Sequence, residues 1–353
     1  MEQTVVTNAT NILTSSEAPG RIELVYRTRI FPSSAYMILD RLSGLLLDTK
    51  FDIIHIHGYG EYAADLACVL KRLGKLRTPI LLTTHGVAGL RHALGALNFS
   101  LKFGGAERLR RALHLFYDES MGRLEMKTFD KVVVLSNEEK TYLGKIGLRD
   151  SRTVSIPIAV NDIFHKATTL ARQEHLLYVG RIDRHKGLST LVHAIKELKD
   201  TGHSMKCVVI GEDFGYKTEL EHLVETLDLG ELIELRGPVS QEELIPLYSS
   251  ALATILLSSA EGMPTSLIES VAMGIPFIST PVGGISELAS NSKAGILVSP
   301  DAPQEVARAV TRINNDKSLW HSMSLSGKEY ASGFAWTKVA NQYLNLYEEM
   351  SAK

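Results

Sequence analysis

The sequence predicts an α/β protein with two domains, each built on a doubly wound parallel sheet. The chain has 353 residues, and at roughly 100–200 residues per domain this length favours two domains. Short apolar runs rich in β-branched residues alternate with helix-sized segments, which is typical of βαβ units in parallel sheets. Between residues 156 and 173 the pattern is interrupted by Pro157 and becomes polar and aperiodic, which indicates a domain boundary. We therefore predict an N-terminal domain at 1–165, a second domain at 166–335 and a final helical segment at 336–353.

Several short runs have the length and composition of strands. In the first half these are residues 4–7, 22–26, 53–56, 80–83 and 132–135. In the second half they are residues 176–179, 206–210, 233–235, 253–257, 276–279 and 295–298. Apolar residues that recur at spacings of three and four predict helices. These segments are 61–73, 109–128, 188–199, 267–273 and 336–350.

Composition and charge exclude several classes of protein. Hydrophobic residues make up 44% and charged residues 22% of the chain, which excludes a disordered or collagen-like protein. The net charge of −2 gives no global basic field, so no nucleic-acid partner is expected. Only two cysteines occur, which excludes a disulfide framework and favours a reducing, cytoplasmic compartment. We expect neither a membrane span nor a signal peptide, because no long apolar run is present.

The first loop suited to chemistry follows the predicted strand at 176–179. Gly180 permits a tight turn or the close approach of a ligand, and Arg181 and Lys186 place two cations beside the start of the next helix. Backbone N–H groups at a helix N-terminus already favour anions. The loop therefore suits a diphosphate, and a solvated loop with basic residues is the alternative.

The second loop, residues 261–269, follows another predicted strand and opens a helix. Pro264 stands near the first helical turn, where its missing N–H costs nothing, and the N–H groups there suit phosphate or sugar hydroxyls. Glu261 suits the hydroxyls of a sugar and Glu269 a ribose diol, because an ionised carboxylate only accepts hydrogen bonds. Residues 266–269 also fit a capping box, in which Glu269 bonds the backbone at the helix start. Both roles of Glu269 stay open at this point.

Paired glycines mark the third loop. Gly283 and Gly284 follow the predicted strand at 276–279 and precede Glu287. Two glycines permit a close backbone approach to a ligand. An ordinary loop in which Ser286 caps a helix is the alternative.

Histidines end two predicted strands of the first half. His55 and His57 share one strand face, so a pair of metal ligands is one interpretation. No carboxylate or cysteine cluster completes such a site in the sequence, and a core or loop histidine is the alternative for His57. His85 follows the strand at 80–83 and is expected to point into a cleft, where an imidazole can donate to a sugar or an oxyanion.

In this order and spacing, the motifs resemble those of a retaining glycosyltransferase of family 4, which has the GT-B fold. The resemblance covers nearly the whole chain. It rests on the Gly-Arg…Lys-Gly loop, the two glutamates eight residues apart and the Gly-Gly…Glu loop. The other matching segments are His57-Gly58, Thr84-His85-Gly86, Leu135-Ser136-Asn137-Glu138-Glu139 and Phe334-Ala335-Trp336. The last of these resembles the start of the family's final helix, which crosses back onto the first domain.

The resemblance implies a role for each site residue. Arg181 and Lys186 would hold the donor diphosphate and offset the charge on the leaving group. Glu261 would contact the donor sugar, Glu269 the nucleotide ribose, and His85 would lie beside the sugar across the cleft. The implied catalytic residues are Glu261, His85, Arg181 and Lys186. The implied donor-binding residues are Gly180, Arg181, Lys186, Gly262, Met263, Pro264, Thr265 and Glu269.

The resemblance also implies a reaction. A hexose or N-acetylhexosamine would pass from a nucleotide diphosphate sugar, with retained stereochemistry, to a glycan, lipid-linked or small-molecule acceptor. Neither cofactor nor metal is implied, because two cations and a helix terminus would perform the task that a metal ion performs elsewhere. A catalytically impaired sugar-nucleotide-binding or regulatory protein is the alternative, and a hexosamine 2-epimerase of the same fold fits the motifs less well.

The chain departs from the family pattern at three places. Family members begin with a strand, a Gly-Gly loop and a helix before the segment that residues 4–8 resemble. The first domain is therefore expected to lack its initial βα unit, which is the reason for the non-catalytic alternative. Residues 156–160 read Ile-Pro-Ile-Ala-Val where the family often has Ile-Pro-Asn-Gly-Val, and residues 211–215 replace a tighter Gly-x-Gly turn.

A basic segment of the first half has two interpretations. Lys102, Arg108, Arg110 and Arg111 stand among apolar residues between positions 99 and 113. Such a segment fits peripheral contact with an anionic membrane surface, at the inner face of the membrane. It fits equally well a helix whose charged face is solvated while the other face packs on the core.

Overall fold

The computed structural model describes most of the chain after residue 50 and short elements before it. The described residues are 3–7, 20–24, 27–29, 37–39, 42–47, 51–86, 113, 115–167 and 175–352. The basic segment around Lys102 and the start of the predicted helix at 109–128 lie outside these residues.

The first domain is built around a four-stranded parallel sheet. The strands described in this half are β1 (Gln3–Thr7), β2 (Gly20–Leu24), β3 (Arg27–Arg29), β4 (Met37–Leu39), β5 (Ile54–His57), β6 (Ile80–Thr83), β7 (Lys131–Val134) and β8 (Thr153–Ser155). Strands β5 to β8 lie in that order, whereas β1 pairs in parallel with β2, and β3 pairs antiparallel with β4. Strand β6 is buried along its whole length, as expected for a parallel sheet covered on both faces.

Helices follow the strands of this sheet. They are α1 (Leu42–Leu46), α2 (Tyr62–Arg72), α3 (Arg123–Thr128), α4 (Asn137–Lys145) and, at the crossing to the second domain, α5 (Asp162–Lys166). A π-helical turn at Asp118–Gly122 precedes α3. Helix α4 begins within the family-like segment at 135–139, which directly follows β7. The hydroxyl of Ser136 caps the helix by accepting from the N–H of Glu139.

The second domain contains a six-stranded parallel sheet with a change in strand order. Its strands are β9 (His175–Val179), β10 (Lys206–Ile210), β11 (Ile233–Arg236), β12 (Ala251–Leu256), β13 (Phe277–Ser279) and β14 (Gly295–Leu297). They lie in the order β11-β10-β9-β12-β13-β14, so the direction in which strands are added reverses between β9 and β12. Loops that follow two adjacent strands at such a switch point leave on opposite sides and open a crevice, where ligands bind in this class of sheet.

The helices of the second domain cover both faces of its sheet. They are α6 (Leu188–Asp200), α7 (Lys217–Thr226), α8 (Gln241–Ser249), α9 (Thr265–Ala272), α10 (Ile285–Ser292), α11 (Pro303–Asn315) and α12 (Lys317–Ala331). Helix α6 is typical, because its buried residues recur at spacings of three and four and join the same core as the strands.

The last helix, α13 (Trp336–Ser351), packs on the first domain. Its buried Val339, Leu346 and Met350 form one cluster with Leu81 and Ile156 from the first domain. The two places where the chain crosses between the domains are joined to each other. The N–H of Val160 donates to the carbonyl of Phe334 at 2.9 Å, and the N–H of Trp336 donates to the carbonyl of Val160 at 3.1 Å.

The predicted strands are present, each within two residues of its predicted bounds. Strands β3, β4 and β8 were not predicted, and they are only three residues long. The domain boundaries at 165 and 335 stay predictions. Among the described residues, β1 and β2 are hydrogen-bonded to each other and not to the β5–β8 sheet. In the part of the chain that the structure describes, no helix is both long and apolar enough to cross a membrane.

Candidate active site

An ion pair joins the two loops at the switch point of the second sheet. The ammonium of Lys186, on the loop after β9, donates to Oε1 of Glu261, on the loop after β12, at 2.6 Å. Both side chains are largely buried, with 14% and 10% of their surface exposed. The hydroxyl of Ser258 donates to the same carboxylate oxygen. Strand order thus brings together two predicted site residues that are 75 positions apart in the chain.

Gly187 makes the close approach of these loops possible. Its φ of +69° lies in the left-handed region, which residues with a side chain rarely adopt. A Cβ at this position would also overlap the carbonyl of Leu257, the residue that follows β12. Gly187 is the N-cap of α6, so one glycine sets both the start of the helix and the position of Lys186.

Arg181 lies on the same loop as Lys186 but is held differently. Its side chain is 53% exposed, and its guanidinium lies 4.8 Å from the centre of the Phe214 ring and 3.8 Å from a carboxylate oxygen of Asp183. Gly211 lets the neighbouring loop approach, because a Cβ there would overlap the carbonyl of Gly180. The loop that departs from the family pattern therefore supplies an aromatic face that contacts a predicted diphosphate-binding cation.

Glu269 does not form a capping box. Helix α9 begins at Thr265, with Pro264 as N-cap and no side-chain cap, so the capping alternative is wrong. Oε2 of Glu269 accepts a hydrogen bond from the Tyr248 hydroxyl at 3.0 Å, and that hydroxyl also donates to the carbonyl of Ser266. Burial raises the pKa of Glu269, and the bond from Tyr248 partly offsets this shift. Its carboxylate is therefore held on the helix side facing Tyr248, while its contact with a ribose stays a prediction.

The paired glycines support the Glu261 loop. Gly283 has a φ of +56°, and a Cβ there would overlap the carbonyl of Glu261. The N–H of Gly284 donates to the carbonyl of Gly262 at 2.7 Å. Helix α10 starts with Gly284 as N-cap and no side-chain cap, so Ser286 is not the cap that one interpretation assigned to it. The glycines approach protein backbone here and fix residues 261–263 in place.

The two domains meet directly in front of this loop. A Cβ on Gly262 would lie 3.4 Å from the Cα of Gly86 in the first domain. A narrow pocket between the domains is lined by Gly86, Leu135, Ser136, Glu139, Glu261, Gly262 and Gly283. Farther along the interface, Glu287 accepts hydrogen bonds from the backbone N–H and the side-chain amide of Asn137, each at 2.9 Å. Glu287 therefore bridges the domains at the N-terminus of α4.

Histidines form the first-domain wall of the cleft. Nδ1 of His57 lies 2.7 Å from Nε2 of His85, so a hydrogen bond joins the two rings. Both ring nitrogens of His55 are also engaged, Nδ1 with the Tyr347 hydroxyl at 2.6 Å and Nε2 with the Thr83 hydroxyl at 2.8 Å. The rings of His55 and His57 lie 4.0 Å apart between centroids and are tilted by 34°. They lie beside each other and their nitrogens bond other groups, which does not suit a shared metal ion.

All three histidines are held toward the neutral state. Burial, with smaller contributions from the nearby rings of His57 and His85, lowers the pKa of His55 to about 3. Burial lowers the pKa of His57 and His85 as well, and the charge of His85 adds to the shift of His57. No group of three or more histidine, cysteine, aspartate or glutamate side chains in the described ranges is arranged to hold a metal ion.

Several contacts of the site were not anticipated from the sequence. Tyr248 and Ser258 hold the two glutamates, and Tyr347 of α13 holds His55. These residues come from distant positions and carry no local motif. Glu139 is buried and accepts from the N–H of Leu135 at 2.7 Å, and its family-like segment was the one available signal.

The arrangement presents cations, acceptors and a helix terminus around one crevice. Lys186 and Arg181 supply positive charge, and α9 directs its N-terminus to the loop that carries Glu261. Such a set suits a ligand that combines a diphosphate with hydroxyl groups.

Two family models match almost the whole chain between them. The model for Glycosyltransferase Family 4 matches residues 2–162, and the model for Glycosyl transferases group 1 matches residues 160–330. The crossing between the domains thus coincides with the junction of the two matches.

Curated relatives with glycosyltransferase names are similar to the chain. D-inositol 3-phosphate glycosyltransferase of Paenarthrobacter aurescens is 30% identical over 178 residues, which covers 50% of this chain and 44% of the relative. The same enzyme of Nocardiopsis dassonvillei is 25% identical, over 63% of this chain and 56% of the relative. The chain therefore spans about half the length of these relatives. A 2-deoxystreptamine N-acetyl-D-glucosaminyltransferase of Niallia circulans is 26% identical over 86% of this chain and 77% of the relative.

Solved structures share the fold at low sequence identity. Sucrose-phosphate synthase from Thermosynechococcus elongatus superposes with a TM-score of 0.75 and 21% identity, covering 99% of this chain and 89% of that one. HepE from Anabaena, solved with UDP-glucose, gives a TM-score of 0.71 and 16% identity, covering 93% and 86%. These similarities confirm the predicted GT-B fold with its two facing α/β domains. The two family models, which together match residues 2–330, show that the chain belongs to the group 1 glycosyltransferases of family 4.

Proposed function

We propose that the chain transfers a hexose or N-acetylhexosamine from a nucleotide diphosphate sugar to an acceptor hydroxyl, with retained stereochemistry. The observation that carries the proposal is the contact of Lys186 with Glu261 at the switch point of the second sheet. HepE from Anabaena was solved with UDP and with UDP-glucose, which makes a uridine diphosphate sugar the first donor to test.

The ion pair of Lys186 and Glu261 offers one binding group to each part of a donor. Without a donor, the charge of Lys186 is neutralised by Glu261. A diphosphate would compete for the ammonium, and Arg181, which is more than half exposed, is free to turn toward the same anion. Glu261 would then accept from hydroxyl groups of the sugar. The diphosphate would replace Glu261 as the partner of Lys186, and the sugar hydroxyls would replace Lys186 as the partners of Glu261. Neither the carboxylate nor the ammonium would then be left unpaired in a largely buried place.

The cations would also act on the reaction itself. As the bond between the sugar and the diphosphate breaks, negative charge grows on the leaving diphosphate. Lys186, Arg181 and the N-terminus of α9 would stabilise that charge more strongly in the transition state than in the bound donor. We propose that no divalent metal or other cofactor is needed, because these groups supply the positive charge.

The acceptor is proposed by class. Glycans, lipid-linked saccharides and small molecules were all implied by the resemblance to the family. Two relatives carry D-inositol 3-phosphate and 2-deoxystreptamine in their names. We therefore place small polyhydroxylated or aminated molecules first among the acceptors to test.

A direct assay tests the proposal. Purified protein is incubated with UDP-glucose or UDP-N-acetylglucosamine and a panel of acceptors, without and with EDTA, and the released UDP and the product mass are measured. The proposal predicts product with the α-configuration of the donor, seen by NMR of the anomeric proton, and equal rates with EDTA. Donor binding without turnover on any acceptor would favour the non-catalytic alternative, and absence of donor binding would overturn both.

A further inference from the structure

The histidine pair of the first-domain wall has a property that neither ring has alone. Nδ1 of His57 and Nε2 of His85 are 2.7 Å apart, so one of them carries the proton and the other accepts it. The ring planes are inclined by only 27°. Because Nε2 of His85 is engaged with His57, Nδ1 is the ring nitrogen of His85 that is left for a ligand in the cleft.

The protonation of one ring determines the protonation of the other. In the neutral pair, a proton on Nδ1 of His57 leaves Nε2 of His57 bare and requires a proton on Nδ1 of His85. A proton on Nε2 of His85 gives the reverse arrangement. The outer nitrogens of the pair therefore always differ, one being a donor and the other an acceptor. The state of His57 thus determines whether His85 offers a donor or an acceptor to the cleft.

His57 is itself held in place by the face of the strand behind it. The His55 ring lies against it at 4.0 Å and is locked by bonds to Thr83 and Tyr347. His85 has a φ of +51°, an uncommon conformation for a residue with a side chain. That backbone turn places the His85 ring within reach of His57, and strained backbone of this kind tends to persist where function requires it.

We propose that His57 is a positioning residue for His85: it orients the His85 ring toward the donor sugar and couples the tautomer of that ring to its own. The inference rests on the proposed function, because a donor sugar is the ligand that His85 would meet. His57 acts through the bond between the rings.

The first test reads the tautomer without any ligand. Protein labelled with ¹⁵N-histidine is examined by NMR at pH 8, where all three histidines are neutral, as wild type and as the variants His57→Leu and His57→Asn. Loss of the bond in His57→Leu is expected to shift both ring nitrogens of His85, and the amide of His57→Asn, placed near the former Nδ1, is expected to restore them in part. Identical His85 signals in wild type and His57→Leu would overturn the proposal.

The second test separates a role at the sugar from a general loss of structure. Calorimetry compares UDP with the UDP-sugar that the wild type prefers. Loss of one oriented hydrogen bond is expected to weaken binding of the UDP-sugar about three- to tenfold in His57→Leu, with the affinity for UDP unchanged. His193→Leu, at an exposed histidine of α6, is the matched control and is expected to change neither affinity.

The outcomes distinguish the two proposals. An equal loss of affinity for UDP and UDP-sugar, or no loss for either, would overturn the role of His57 while leaving the proposed function intact. Wild-type protein that binds neither ligand would overturn the proposed function, and with it the sugar-facing role of His85. Should His57→Leu fail to fold, His57→Phe takes its place in both tests, with His57→Asn kept as the variant expected to restore the bond in part.

Discussion

The two walls of the cleft are built in different ways. On the second-domain wall, strand order and Gly187 bring Lys186 to Glu261, so short loops and backbone conformation define the site. On the first-domain wall, the bond from His57 to His85 is backed by His55, which is tied to a tyrosine 292 residues away. The second-domain wall is therefore set by the strand order and loop backbone of one domain, whereas the first-domain wall also depends on a side-chain contact with the last helix, which forms only after the whole chain has folded.

The largest expected effect is on the second-domain wall. Lys186→Ala should raise the reaction barrier by roughly 2–4 kcal/mol, as removal of one charge-stabilising donor does elsewhere, and should weaken donor binding less. The reason is that leaving-group charge is greater in the transition state than in the bound donor. The turnover number and the donor dissociation constant are measured together, with Lys196→Ala as control, because Lys196 pairs with Asp200 on the surface of α6. A large rise in dissociation constant at unchanged turnover would contradict the assigned role.

Backbone conformation on the same wall gives the next effect. Gly187→Ala combines a positive φ with an overlap on Leu257, and should lower the free energy of unfolding by about 2–3 kcal/mol. Gly202→Ala is the matched control, because φ is +76° there and nothing lies near the added methyl group. It should lose only about 1 kcal/mol. Urea denaturation compares the two, and equal losses would show that the contact with β12 contributes nothing.

A smaller effect tests Glu269. Glu269→Ala should weaken nucleotide binding about tenfold, equivalent to 1.4 kcal/mol, if the carboxylate accepts from a ribose. Tyr248→Phe removes the hydroxyl that donates to Glu269 while leaving the carboxylate present, so it should change affinity less. Calorimetry with UDP measures both. Unchanged affinity in Glu269→Ala would leave only its hydrogen bond with Tyr248 as a role.

The smallest effect concerns the wall that depends on distant residues. His55 has a pKa of about 3 in the folded protein and about 6.5 in the unfolded chain. The unfolded chain therefore binds more protons between these values, and stability is present above pH 6.5 and lost as the pH falls toward 3. The free energy of unfolding should decrease by about 1 kcal/mol more between pH 7 and 5.5 in wild type than in His55→Gln.

The groups around His55 define the control for this measurement. His57, His85, Thr83, Tyr343 and Tyr347 face it, and the two other histidines also have lowered pKa values. They titrate in both proteins, so the difference between wild type and His55→Gln reports His55. Equal slopes would show that His55 is protonated as readily in the folded protein as in the unfolded chain.

The sequence predicted the parts of the fold and the site that depend on local pattern. Buried strands such as β6 and β12 were readable from their short apolar runs. Lys186 and Glu261 were expected to meet because both loops follow parallel strands. Helix α11 was missed although buried Val306, Val310 and Ile313 give it a clear helical spacing.

Other features of the site could not be predicted from local sequence, because contacts between distant residues determine them. The capping-box pattern at 266–269 is genuine in sequence, but the helix begins at Thr265 and Tyr248 takes up the Glu269 carboxylate. Likewise, the hydrogen bond of His55 to Tyr347 joins strand β5 of the first-domain sheet to the last helix of the chain. Such pairs are set by tertiary packing, which no periodicity or spacing records.

We expect the paired crossings at Val160 and Trp336 to constrain the relative motion of the two domains. The two chain crossings hydrogen-bond to each other, so the domains stay connected at the point where the backbones pair. We expect relative motion of the domains to be a rotation about this paired backbone. Such a rotation would open or close the contact of Gly86 with Gly262 and the hydrogen bonds of Asn137 with Glu287. Helix α13 lies past the paired backbone and is packed on the first domain, so it travels with that domain although it follows the second in sequence.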